Sequence, residues 1–226
     1  MAEQTKSKQR VADHGEVFTN EREVNAMLDM VKQETERIDS RFLEPACGDG
    51  NFLAEILRRK LSVVSSRYGK RANDWEKYAF VAVASIYGVE LLADNAADCR
   101  ARLLSIVKEF WRKATKSDGR QGFISAIEFV LSRNILNGDA LTMLDANGDP
   151  IIFSEWSLVT GDKVKRRDFR LDEMLEGNGE HEQFSLFGSS GSAITDWEYD
   201  EETQSFIPKP ITEYPLTSFY EVMNCE

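Results

Sequence analysis

The stretch Arg41 to Leu57, RFLEPACGDGNFLAEIL, reads as a strand, a glycine turn and the opening of a helix in one unbroken run. Phe42 and Leu43 are short and apolar, like a strand running into a core. Gly48 and Gly50 let the backbone turn and come close to a ligand, and from Asn51 onward Phe52, Leu53, Ile56 and Leu57 share one helical face. Nucleotide-like cofactors sit at such turns. A dinucleotide fingerprint would need a third glycine at position 53, where Leu53 stands, so a pyrophosphate cofactor is disfavoured.

The wording of this run carries a resemblance. Glu44, Pro45, Ala46, Cys47, Gly48, Asp49, Gly50, Asn51 and Phe52 resemble the cofactor motif of S-adenosylmethionine-dependent methyltransferases, in the form typical of DNA methyltransferases that modify adenine N6. The resemblance implies S-adenosylmethionine as cofactor and these nine residues as its cradle. A generic nucleotide-binding turn, or a purely structural tight turn, is the alternative reading.

At 226 residues the chain has room for one core of about 150 to 200 residues plus an appendage, and not for two full domains. Its 42% hydrophobic and 30% charged residues are those of an ordinary globular protein. The longest apolar stretch, Tyr78 to Tyr87, is about half of a membrane span, and no charged-then-apolar leader opens the chain, so a cytoplasmic protein without membrane contact is expected. Cys47, Cys99 and Cys225 show no metal or disulfide spacing and are expected as reduced thiols, with no metal site. The net charge of −11 taken alone argues against nucleic acid, but its distribution weakens that objection. From Leu171 onward Lys209 alone stands against thirteen acidic residues, whereas the first 170 residues hold 27 basic and 26 acidic ones. The acidity belongs to the tail and the body is neutral.

Residues 1–12 are polar and expected to be mobile. Next comes Gly15 to Asn20, GEVFTN, then a helix marked by Val24, Met27, Leu28 and Val31, which Thr19 or Asn20 can cap. This segment resembles the motif that precedes the cofactor loop in circularly ordered adenine DNA methyltransferases; the resemblance implies that Phe18 and Thr19 close over the methionine end of the cofactor. After the glycine loop, helices are expected to about Ser65 and over Trp75 to Ser85, then a strand from Ile86 to Leu91. An acid at the carboxyl end of a second strand grips ribose hydroxyls, because both its oxygens accept hydrogen bonds from a vicinal diol. Glu90, with Leu91 beside it, is that candidate. It stands 40 residues after Gly50, where about 20 is usual, so an additional helix is inserted. A long helix over Asp94 to Lys116 and a shorter one over Ile124 to Leu131 lead to a third strand, Asn134 to Leu141. Its Asp139 matches the residue that, by the resemblance, accepts a hydrogen bond from the cofactor's adenine amino group, with Ala140 and Leu141 flanking the ring.

A fourth strand is expected to start at Ile151 to Phe153, and here the chain departs from the family. Adenine DNA methyltransferases end that strand with Asn or Asp, two prolines and an aromatic residue, which hold the target amine and stack on the flipped base. This chain has Ser154-Glu155-Trp156-Ser157 instead. Glu155 as an acceptor and Trp156 as a stacking face are the catalytic candidates. Lys163, Lys165, Arg166 and Arg167 lie in the one dense basic cluster and are candidates for phosphate contact; a solvated turn fits equally well. Leu171 to Leu175 is a short helix. Gly177 to Ser192 is a flexible linker in which Phe184, Leu186 and Phe187 can anchor, Trp197 to Ile207 is a hairpin, and Phe219 to Val222 is a last short element.

The expected fold is therefore α/β: a doubly wound, Rossmann-like class I methyltransferase sheet, truncated or modified in its second half. A cofactor-binding domain over 13–175 is followed by an acidic linker and hairpin extension over 176–226. The resemblance implies a subunit related to adenine-specific DNA methylation in restriction-modification or phage defence, which acts on DNA with a partner protein for target recognition and for the missing catalytic half. A catalytically silent cofactor-binding regulatory protein and a methyltransferase for another substrate are the alternatives.

Overall fold

The structure, a computed structural model, describes residues 6–14, 16–116, 120–176, 197–200 and 205–225. Helix α1 (Lys8–His14) precedes α2 (Glu21–Asp29), whose first turn is capped by the Asn20 side chain accepting from the Glu23 N–H, and the short α3 (Lys32–Thr35). The glycine run forms β1 (Phe42–Glu44) and α4 (Asn51–Tyr68); α5 (Ala72–Ala84) leads to β2 (Ile86–Glu90), and α6 (Ala93–Thr115) with α7 (Gln121–Asn134) leads to β3 (Ile135–Asp139). The inserted helix expected between the first two strands is α5. Strands β1, β2 and β3 are parallel neighbours in that order, and β4 (Leu144–Asp145) pairs antiparallel with β3, so the sheet is mixed.

Alternation along β2 explains the layering. Ile86 joins Leu53, Leu57, Leu61, Leu103 and Ile127 in the large core built from α4 to α7, whereas Tyr87 and Val89 point the other way and meet Ile151, Phe153 and Leu171. That second face is covered by an antiparallel hairpin, β5 (Ile152–Thr160) and β6 (Lys163–Arg170), followed by α8 (Leu171–Glu176). Here the structure corrects the expected fourth strand. Residues from Ile152 onward do not extend the parallel sheet; the two-residue Gly161-Asp162 turn, with Gly161 at φ +58, folds them back on β6. The strands β7 (Trp197–Asp200) and β8 (Ser205–Pro208) form the expected hairpin.

The division at residue 175 does not follow the packing. Short strands β9 (Thr212–Glu213) and β10 (Thr217–Ser218) both pair with β6, and a 3₁₀ helix, Phe219–Asn224, buries Phe219 and Val222 in the main core. The amino terminus differs from expectation as well: α1 is helical and tied down, with Arg10 bonded to Glu16 and Asp94. The linker over 177–192, with Phe184, Leu186 and Phe187, lies outside the described residues, as does Gly15. No described helix is long and apolar enough to cross a membrane.

At the amino end of β1 and β2 a lysine is fully buried. Lys60 on α4 donates from Nζ to the Ile38 carbonyl (3.1 Å), the Ser40 carbonyl and Ser85 Oγ (2.6 Å), joining the starts of both strands. Burial pulls its pKa from 10.5 down to about 7. Replacing it, Lys60→Met, leaves these oxygens without their donor and is expected to cost about 2 kcal/mol. The sign with pH follows from linkage: between pH 7 and 10.5 the unfolded chain keeps the proton that the folded chain gives up, so this group favours folding increasingly as pH rises. The gap in urea midpoint between the native chain and Lys60→Met should widen from pH 7 to pH 9; a gap that narrows contradicts this.

Candidate functional site

The carboxyl ends of β1, β2 and β3 line one edge of the sheet, since Glu44 pairs with Gly88 and Glu90 with Asn137 in register. Between β1 and α4 the chain turns through Gly48 at φ +56 and Gly50 at φ +90, a region that favours glycine. Space demands glycine too. A Cβ on Gly50 would lie 2.6 Å from Cys99 Sγ, and one on Gly88 of β2 would lie 3.0 Å from both Cys47 Sγ and Leu53 Cδ1. Cys47 and Cys99, free thiols as expected, are buried neighbours; the nearby Cys99 thiol and burial push the Cys47 thiol far above its ordinary range.

Glu90 is joined directly to this loop. Its Oε2 accepts from the Gly48 N–H (2.8 Å) and its Oε1 from the Leu92 N–H (3.0 Å) and Asn95 Nδ2 (3.4 Å), and the side chain is buried. Asn137 on β3 donates to the Glu90 and Leu91 carbonyls, both at 2.9 Å, locking the third strand to the end of the second. Asp139 ends β3 with Oδ1 accepting from the Leu141 N–H (2.9 Å); Ala140 packs under the sheet, and Leu91 and Leu141 are exposed. Desolvation raises the pKa of half-buried Glu44, against a hydrogen bond from the Ala46 N–H, while Pro45 and Ala46 are exposed.

The amino-terminal segment lies over the loop. The Phe18 ring comes within 3.2 Å of where a Gly48 Cβ would stand, and the Thr19 carbonyl accepts from Asn51 Nδ2 (3.2 Å). Arg102 on α6 donates to Asn51 Oδ1 (2.7 Å) and pairs with Asp49 Oδ2 (3.2 Å). Half-buried Phe52 opens α4, whose cap, Gly50, offers no side chain to its first N–H groups. Sequence reasoning missed Arg102, Asn95, Asn137 and Glu16, whose Oε1 accepts from Asn95 Nδ2 (2.6 Å); the hydrogen bond from Arg10 holds the Glu16 carboxyl below its usual range. Among the described residues, two buried side-chain oxygens have no hydrogen-bond partner, Asp49 Oδ1 and Asn95 Oδ1, and both residues border Glu90 or the loop. An open hollow of about 600 Å³ lies elsewhere, at the amino end of β1 between Val31, Arg37 and Phe42.

The remaining candidates sit apart, in the hairpin. Glu155 is buried and accepts from Arg41 (2.6 Å) and Arg167 (3.0 Å); Trp156 donates to Asn134 Oδ1 (3.3 Å) and packs edge-on against Phe80 and Phe129. The basic cluster is divided by burial, not by alternation, since the neighbours Arg166 and Arg167 are both covered. Lys163 is exposed and Lys165 pairs with Glu213 (2.8 Å), but Arg166 is buried against Asp168 (2.8 Å) and over the Tyr214 ring, and Arg167 is buried on Glu155. Arg166 and Arg167 therefore hold the hairpin together and are not available to phosphates. Among the described residues no group of three His, Cys, Asp or Glu could hold a metal ion.

Comparison of the chain with protein-family models, with curated proteins and with solved structures finds no match in any of the three.

Two glycines separate backbone strain from crowding. Gly148 has φ +86 with nothing within 4 Å of a Cβ, whereas Gly50 at φ +90 faces Cys99. Gly50→Ala is expected to destabilise by at least about 1 kcal/mol more than Gly148→Ala in urea unfolding; equal losses would mean that the contact with α6 gives way freely.

Proposed function

We propose that this chain is an S-adenosylmethionine-binding, methyltransferase-like protein of the adenine-N6 DNA type, which acts with a partner. The observation that carries the reading is the Glu90–Gly48 hydrogen bond with the two unpartnered buried oxygens, Asp49 Oδ1 and Asn95 Oδ1, beside it. Native chains leave few buried polar atoms unsatisfied, and both of these cluster at the place the motif marks. The residues fit the cofactor: glycines allow close backbone approach, the uncapped α4 amino terminus faces the loop, and acids end β2 and β3 where a Rossmann-like fold holds ribose and adenine. Gly48, Gly50, Glu90 and Asp139 would hold the nucleoside, and Phe18 and Thr19 would cover the loop. When bound, the cofactor supplies an electrophilic methyl group on a sulfonium.

Among the described residues there is no place for the methyl-accepting amine. Such an amine needs acceptors on its hydrogens as it becomes tetrahedral, and Glu155 already serves Arg41, just before β1, and Arg167 within the hairpin. The open side of β1 supports supply from outside. Among the described residues β1 pairs only with β2, and Phe42 N–H bonds towards β2, so alternation turns the backbone groups of the half-exposed Leu43 to the unpaired side. A strand from a partner fits there beside the glycine loop. A catalytically silent cofactor-binding protein is the second reading, favoured by the same employment of Glu155 and Trp156; action on a substrate other than DNA is a third.

Calorimetry with S-adenosylmethionine should show saturable binding, weakened at least about tenfold by Glu90→Ala. Absence of binding to the native chain would end the proposal. Methyl transfer to duplex DNA is expected only when the products of neighbouring genes are added; no transfer with them present would favour the silent reading.

A further inference from the structure

The sequence suggests that Glu90 grips a diol with both of its oxygens, but in the folded chain its acceptor capacity is largely used. A carboxylate offers about four lone-pair positions, and here three are directed at the Gly48 N–H, the Leu92 N–H and Asn95 Nδ2. One position remains for a ligand. Asn95, 1% exposed on the first turn of α6, lies against the same carboxylate. Its amide orientation is fixed by charge: Nδ2 stands between Glu16 Oε1 (2.6 Å) and Glu90 Oε1 (3.4 Å), and turning the amide over would set its oxygen against two carboxylates. Oδ1 is thereby left buried and without a donor.

We infer that Asn95 is a second ligand-binding side chain, and that a vicinal diol is held by one oxygen of Glu90 together with Oδ1 of Asn95. The chemistry is complementary, because two adjacent hydroxyls bring two donors and the pair offers two neighbouring acceptors. Only one of those acceptors is charged. This inference rests on the proposed nucleoside site and adds the residue that makes it selective for ribose over deoxyribose.

The test is calorimetry with S-adenosylhomocysteine and its 2′-deoxy and 3′-deoxy counterparts, on the native chain and on Asn95→Ala. The native chain should bind both deoxy compounds at least about threefold more weakly than the parent, the scale of one lost hydrogen bond. Asn95→Ala should weaken the parent by a similar factor but leave one deoxy compound unaffected, since that compound lacks the hydroxyl Asn95 holds. Equal weakening of all three ligands would assign Asn95 a structural role and overturn the inference, as would no weakening of any. If the alanine variant does not fold, Asn95→Leu, which removes the acceptor at similar volume, carries the same expectation. A native chain that binds none of the three would instead remove the nucleoside site itself, and this inference with it.

Discussion

The hydrogen bond from the Gly48 N–H to the Glu90 carboxylate is the constraint around which this structure is arranged. It fastens the turn after β1 to the end of β2, and it can form only if the backbone at residue 48 adopts a positive φ and nothing projects between loop and strand. The neighbouring requirements follow. Gly50 clears Cys99 on α6, Gly88 clears Cys47 and Leu53, and Asn137 repeats the device one strand further on by holding the Glu90 and Leu91 carbonyls. A carboxylate placed in this way orders the loop and at the same time leaves acceptor capacity at the edge of the sheet, so scaffold and candidate site are the same set of contacts.

The other end of the sheet is organised by a buried amine. Lys60 draws the starts of β1 and β2 together through three oxygens, while the loops at the carboxyl edge carry the glycines and acids. Opposite the helices, the hairpin of β5 and β6 supplies the second layer through Ile151, Phe153 and Leu171, and is itself tied across its strands by Arg166 to Ser154 and by Arg167 to Glu155. Buried pairs of this kind fix register and orientation more than they add stability. They also explain why the densest basic run in the chain contributes little positive surface.

What was legible in the sequence was local. The strand, glycine turn and helix over Arg41 to Leu57, the acid at Glu90, the inserted helix and the third strand ending at Asp139 all follow from periodicity and turn chemistry within a short window. The path after Pro150 was not legible, because an apolar start at Ile151 fits a parallel strand as well as a hairpin strand. The deciding signal was Gly161-Asp162 between two extended runs. The employment of Arg167 depends on Glu155, which only strand pairing brings opposite it, and that of Arg166 on Ser154 of the facing strand as well as on Asp168 two residues along its own. Cys47 and Cys99 meet across 52 positions, a distance in sequence that no spacing rule covers. Phe219 and Val222 look like the end of an acidic extension, yet their burial returns the last described residues to the core. Non-local pairing is the common physical reason for each difference.

A nuclear magnetic resonance titration of the ¹⁵N-labelled chain with S-adenosylmethionine probes the central claim most directly. The account predicts saturable shifts of the Gly48, Gly50 and Leu92 amides and of the Asn95 side-chain amide, with smaller changes along β6. Shifts confined to the hollow near Val31 and Arg37, or none at all at saturating cofactor, would contradict it.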